Sequence, residues 1–211
     1  MKDRTLEKLL EERVVVIIRV TDPEDIPPIV ACLVEGGIRA VEITSNTPGC
    51  MAAVTRLRKD YPELLIGAGT ITSANLAEEA IAAGAQFLVT PNTRAEVVSC
   101  AHSHGVPVIM GAMTPSEVVE ATEAGADIVK LFPAGALGPD YLKALAGGPF
   151  LDTVFFAVGG VDENNVEQWM NAGARGVGVG GSLAAPVPGE TDAARLTERV
   201  KMLRNKLNKN S

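Results

Sequence analysis

Residues 127–133 read Asp-Ile-Val-Lys-Leu-Phe-Pro (DIVKLFP), a short apolar run with a β-branched core and a proline at its end. Runs of that length and composition, closed by Gly or Pro, predict strands. Seven more punctuate the chain: VVVIIRV from Val14, RAVEIT from Arg39, LLIGAGT from Leu64, QFLVTPN from Gln86, VPVIMGA from Val106, VFFAVGG from Val154 and GVGVGGS from Gly176. They start about 20–27 residues apart, the length of one strand plus one helix. Their nearly continuous apolar character is that of parallel strands buried on both faces.

The gaps carry helix signals. Thr93-Arg94-Ala95-Glu96 and Thr114-Pro115-Ser116-Glu117 match the capping box, the second with proline at the first helical position. Thr47-Pro48 and Asp162 read as further starts, and a start at Asp25 places Pro27 and Pro28 in a first turn, where they are tolerated. Gly36-Gly37, Gly84, Gly105, Gly125, Gly147 and Gly173 mark the stops. Eight strand–helix units predict an α/β (β/α)8 barrel, the TIM barrel, as one domain over residues 1–211. Residues 3–12 form an extra N-terminal helix across its bottom, and RLTERVKMLRNKLNKNS is a last helix, basic toward its C-terminus. A doubly wound open sheet is the alternative, but no GxGxxG follows the first strand.

The 211 residues are 46% hydrophobic and 21% charged, as in globular chains. Net charge is −7, with 19 Lys+Arg against 26 Asp+Glu, which speaks against a nucleic-acid partner. Cys32, Cys50 and Cys100 are an odd number with no CxxC spacing, which fits free thiols in a reducing compartment. The N-terminal segment lacks the apolar core of a signal peptide, and no apolar run is long enough to span a membrane. A soluble cytoplasmic protein is expected.

In such a barrel, catalytic groups come from the C-terminal ends of the strands. The unusual residues collect there: Arg19 after the first strand, Glu42, Thr44 and Asn46 at the second, Thr70 at the third, Pro91 and Asn92 at the fourth, Lys130 in the sixth. Alternation puts Lys130 on one face with Ile128 and Phe132, and Glu42 with Ala40 and Thr44. If both faces point inward, an amine and a carboxylate meet in one dry pocket. They form either a structural ion pair or an imine-forming lysine with a proton-shuttling carboxyl, since desolvation favours the free amine. Gly159-Gly160 and Gly180-Gly181-Ser182 end strands seven and eight, the usual phosphate position of this fold. They either make tight turns only or let backbone N–H groups approach a phosphate. His102 and His104, two apart near a helix end, share no helical face; they read as surface residues rather than metal ligands. No HExxH or carboxylate–histidine cluster points to a metal. Trp169 reads as core packing.

Taken together, VEIT, IGAGT, FLVTPN, MTPSE, VKLFPA, AVGGV and VGVGGS resemble the class I 2-keto-3-deoxy-6-phosphogluconate (KDPG) and 4-hydroxy-2-oxoglutarate (KHG) aldolase family, from about residue 12 to 205. The resemblance implies a (β/α)8 barrel, usually a homotrimer, working without organic cofactor or metal. Lys130 would form the Schiff base with pyruvate or the 2-keto acid substrate, and Glu42 would shuttle protons. Thr70 and Pro91 would line the pyruvate end, Phe132 would pack beside the lysine, and Arg19 would meet the substrate carboxylate. Gly159, Gly160, Gly180, Gly181 and Ser182 would bind phosphate. Gluconate-type members often carry arginine where this chain has Asn46 and threonine where it has Val158. FAVGG, VTPN and SNTP resemble instead the 2-dehydro-3-deoxy-6-phosphogalactonate aldolases, whereas Thr44 follows the gluconate type. Two other readings keep the barrel: a sugar-phosphate isomerase or epimerase that uses no imine, and a ligand sensor without turnover.

Overall fold

The computed structural model describes residues 2–209, with Ser182 described by its backbone alone. Eight parallel strands close into a barrel in chain order: β1 (Val14–Ile18), β2 (Ala40–Thr44), β3 (Leu65–Gly69), β4 (Leu88–Val89), β5 (Val108–Ala112), β6 (Ile128–Leu131), β7 (Phe155–Val158) and β8 (Gly176–Val179). β8 pairs with β1 through Val14 opposite Val177 and Val16 opposite Val179. The helices are α1 (Lys2–Glu12), α2 (Ile26–Glu35), α3 (Cys50–Asp60), α4 (Ala74–Ala82), α5 (Ala95–Ser103), α6 (Pro115–Glu123), α7 (Pro139–Ala146), α8 (Val166–Asn171) and α9 (Glu190–Lys209).

Two apolar layers follow from strand alternation. Val14, Val16, Val41, Ile43, Ile66, Val129 and Val177 face outward against the helix ring. Val15, Ala40, Leu65, Phe87, Val89, Ile109, Ile128 and Phe156 face inward, joined from below by the fully buried Leu9 of α1. Inward glycines make room for the two rings: a Cβ on Gly67 would lie 2.4 Å from Phe87, and one on Gly176 2.4 Å from Phe156. The lower barrel is therefore filled, and any open space lies toward the C-terminal strand ends.

The helix starts hold in part. Thr114 and Glu117 make the full capping box of α6, and α2 carries its two prolines in the first turn after Asp25. Thr93 caps nothing: its hydroxyl donates to the Gly111 carbonyl, and α5 begins after Arg94. The helix expected at Thr47 begins at Cys50, after Gly49 at φ 70°, because the Thr47 hydroxyl is engaged with that of Thr44 at 3.0 Å. α8 starts at Val166, four residues after Asp162.

His102 is likewise not a free surface residue. Its Nε2 lies 2.8 Å from Asp127, which also accepts from Lys2 Nζ and from the Val108 N–H, each at 2.8 Å. Asp127 thereby fastens α1 and α5 to the start of the strand that carries Lys130. Burial pushes its carboxyl up, but the hydrogen bonds from Lys2, His102 and Val108 outweigh burial and hold it below its ordinary value of 3.8. A depressed folded-state pKa stabilises above the unfolded value and ceases to as pH falls through the folded one. The stability gap between wild type and Asp127→Asn in urea should thus be full at neutral pH and shrink below about pH 4. A gap that does not change with pH would show that the charge of Asp127 is not what fastens these elements.

Candidate active site

A cavity of about 560 Å³ opens at the C-terminal ends of the strands. Its wall includes Arg19, Glu42, Thr70, Pro91, Lys130, Phe132, Val158, Gly159, Gly160, Gly180 and Gly181, residues scattered over more than 160 positions of sequence. Asn46 is not among them. It is exposed in the loop after β2, in a separate depression with Ser45 and Thr47. Ser182 is the middle residue of a 3-10 turn, Gly181–Leu183, and its side chain lies outside the described residues. Ile17, Gly178, Val161 and Asp162 complete the wall, none of them among the site residues expected from the sequence. Strand alternation alone would have found the first two, as Ile17 is two residues before Arg19 and Gly178 two before Gly180.

Lys130 and Glu42 are both buried, at 5% and 2% exposure, and share this cavity. No salt bridge joins them among the described residues. Burial lowers the Lys130 pKa; the Glu42 charge pulls it back up, the Arg19 charge down again, and the net is below the ordinary lysine value. Burial raises the Glu42 pKa, opposed by Lys130 and Arg19, and the net is above the ordinary carboxyl value. Each group is thus moved toward its neutral form, the amine able to attack and the carboxyl able to hold a proton. The Lys130 ammonium stands 4.6 Å from the centre of the Phe132 ring, which borders it on one side.

Thr70 has φ 58°, an unusual state for a β-branched residue. The Ser45 hydroxyl donates to its carbonyl at 2.8 Å, and Arg19 reaches its hydroxyl at 3.5 Å. Opposite them, Gly159 and Gly160 take φ 90° and 77°, and Gly181 takes φ 53°. The carbonyl of Gly159 accepts from the Gly135 N–H and that of Gly160 from Asn165 Nδ2, each at 2.8 Å. Among the described residues, the N–H groups of Gly159, Gly160 and Gly181 bond to no protein acceptor. Carbonyls tied back and free N–H groups make a nest suited to an anion. No group of three or more His, Cys, Asp or Glu side chains that could hold a metal occurs among the described residues.

The model of the aldolase family described as KDPG and KHG aldolase matches residues 6–198. The chain belongs to that family. It is 37% identical to the 2-dehydro-3-deoxy-6-phosphogalactonate aldolase of Escherichia coli, over 80% of this chain and 83% of that one. It is 35% identical to the 2-dehydro-3-deoxy-phosphogluconate aldolase of Treponema pallidum, over 85% of each. A crystal structure of KDPG aldolase from Legionella pneumophila, with pyruvate captured as a covalent carbinolamine, superposes with a TM-score of 0.79 at 29% identity, covering 97% of this chain and 96% of that one. This KDPG and KHG aldolase family member is accordingly a carbon–carbon lyase.

Inward-facing Gly69 gives the Glu42 carboxylate its room: a Cβ there would lie 2.5 Å from Oε1. Gly69→Ala should displace the carboxylate and lower aldol cleavage by about a hundredfold. Unchanged cleavage in steady-state assays would remove this constraint.

Proposed function

We propose that this aldolase cleaves 2-keto-3-deoxy-6-phosphogluconate to pyruvate and glyceraldehyde 3-phosphate, with Lys130 as the imine-forming residue and Glu42 as the proton carrier. The observation that carries the reading is the buried pair itself: an amine and a carboxyl, both pushed toward neutrality, in one cavity whose far wall is a glycine nest.

The free amine of Lys130 attacks the substrate C2 carbonyl and forms a carbinolamine; protonated Glu42 gives its proton to the departing hydroxyl, so that water leaves, a protonated imine remains and Glu42 becomes the carboxylate. Glu42 as carboxylate takes the C4 hydroxyl proton while the C3–C4 bond breaks. The bonding electrons flow into the imine, leaving an enamine and the free aldehyde. Glu42, now protonated, returns its proton to C3, and water hydrolyses the imine to release pyruvate. Arg19 pairs with the substrate carboxylate, Thr70 and Pro91 border the pyruvate end beside Phe132, and the N–H groups of Gly159, Gly160 and Gly181, with Ser182, hold the phosphate. The same chemistry on 4-hydroxy-2-oxoglutarate yields pyruvate and glyoxylate. No organic cofactor or metal takes part in these steps. Assembly as a homotrimer rests on the family resemblance, and a cytoplasmic site of action on the three unpaired cysteines.

The imine reading is tested by mass spectrometry after pyruvate and borohydride. The expected result is a pyruvyl adduct on Lys130, with Lys130→Met folded, unlabelled and without cleavage activity. Folded wild-type protein that takes no adduct would remove Lys130 as the imine-forming residue.

Val158 favours a second substrate, the phosphogalactonate epimer, which differs in configuration at one hydroxyl-bearing carbon. Val158 is on the cavity wall at 4% exposure and offers no hydroxyl there. A missing hydrogen bond at such a position alters discrimination between hydroxyl configurations. Val158→Thr should shift the ratio of kcat/KM values toward the gluconate epimer by about tenfold. An unchanged ratio would take Val158 out of the specificity of this site.

A further inference from the structure

Glu163 is a buried charge for which the reaction above has no use. It sits in the loop between β7 and α8, directly after Val161 and Asp162 of the cavity wall. Its side chain is 7% exposed. Oε1 accepts from Arg199 Nε of α9 at 2.5 Å. Oε2 is buried without a hydrogen-bond partner, the one such side-chain atom among the described residues. Burying a carboxylate with one oxygen unsatisfied is unfavourable, and an ion pair of this kind is weak evidence for stability. A role in geometry explains it better.

The loop is tied internally. The Asp162 N–H donates to Asn165 Oδ1 at 3.0 Å, Asp162 Oδ1 accepts from the N–H groups of Asn164 and Asn165, and Asn165 Nδ2 holds the Gly160 carbonyl. These bonds make residues 160–165 one rigid piece, which backbone bonds continue into α8 (Val166 N–H to the Asp162 carbonyl and Gln168 N–H to the Asn165 carbonyl, each at 3.0 Å), while the Gly135 N–H holds the Gly159 carbonyl just before it; none of these bonds reaches α9. The apolar contacts of Val161 and Val166 hold it to the core without direction. The Glu163–Arg199 bond is directional and joins it to the C-terminal helix. A nest of N–H groups needs such a fix, because hydrogen-bond strength falls steeply with misalignment.

We infer that Glu163 and Arg199 are positioning residues for the phosphate end of the cavity: together they set where the Gly159–Gly160 N–H groups stand relative to Lys130. This rests on the phosphate reading given under Proposed function. Neither residue touches the substrate. The pair acts through the loop, so its removal moves the phosphate contacts and leaves the imine chemistry in place.

The test compares wild type, Glu163→Gln, Arg199→Met and the double variant Glu163→Leu/Arg199→Met on KDPG and on unphosphorylated 4-hydroxy-2-oxoglutarate. KM for the phosphorylated substrate should rise about ten- to a hundredfold in each variant. KM for the unphosphorylated one should stay within about twofold, with pyruvate labelling of Lys130 unchanged. The double variant replaces the ion pair with apolar side chains of similar size. It should keep a cooperative thermal transition, so the question stays answerable if a single variant unfolds. Equal rises on both substrates, or no rise on the phosphorylated one, would overturn the inference. A wild type indifferent to the phosphate would overturn the phosphate reading as well, and is told apart because it is seen before any substitution.

Discussion

The desolvation of Lys130 and Glu42 is the constraint around which the upper barrel is arranged. Two charges at 5% and 2% exposure can be kept in a protein interior only if they are paired, neutralised or used. The surroundings leave them room rather than partners. Gly69 clears the space of the Glu42 carboxylate, and Gly178 that of the Val158 side chain, which would meet a Cβ at 2.7 Å. Below them, Phe87, Phe156 and Leu9 fill the barrel and exclude water. The apolar floor pushes both groups toward neutrality, and the open top lets a substrate reach them.

A second division of labour runs across the mouth of the cavity. On one side, strained Thr70 is held by Ser45 and approached by Arg19. On the other, the glycines after β7 and β8 turn their carbonyls inward to protein donors and leave N–H groups to the cavity. One side is furnished with side chains and one with backbone. A substrate with a 2-keto acid at one end and a phosphate at the other matches that asymmetry. The two kinds of relative, a galactonate and a gluconate aldolase by name, stand at nearly the same identity to this chain.

The fold by itself would not have led to this chemistry, since the barrel hosts many activities. The site does. Lys130 lies in the middle of an apolar strand, and the carboxyl that shares its cavity, that of Glu42, comes from a strand far away in the chain. The Asp127 cluster at the opposite end of β6 serves the same strand from below, tying the helix that closes the barrel to the element that carries the lysine.

Much of this was legible in the amino-acid order. Eight apolar runs at even spacing specified eight buried parallel strands, and a period of two placed Lys130 and Glu42 inward, because both patterns are local properties of a chain that alternates its side chains. The glycine pairs were legible by position, since both fall at the C-terminal strand ends, where the cavity opens. What tertiary structure alone decided are matters of long-range partnership. The Thr93 hydroxyl was drawn to a carbonyl of β5 instead of capping a helix, and Thr47 to Thr44, which moved the start of α3. His102 found Asp127 twenty-five residues on, Asn46 turned out of the cavity, and Glu163 met Arg199 across thirty-six. No periodicity encodes such pairs, because they arise only when packing brings distant segments within the few ångströms over which a hydrogen bond acts.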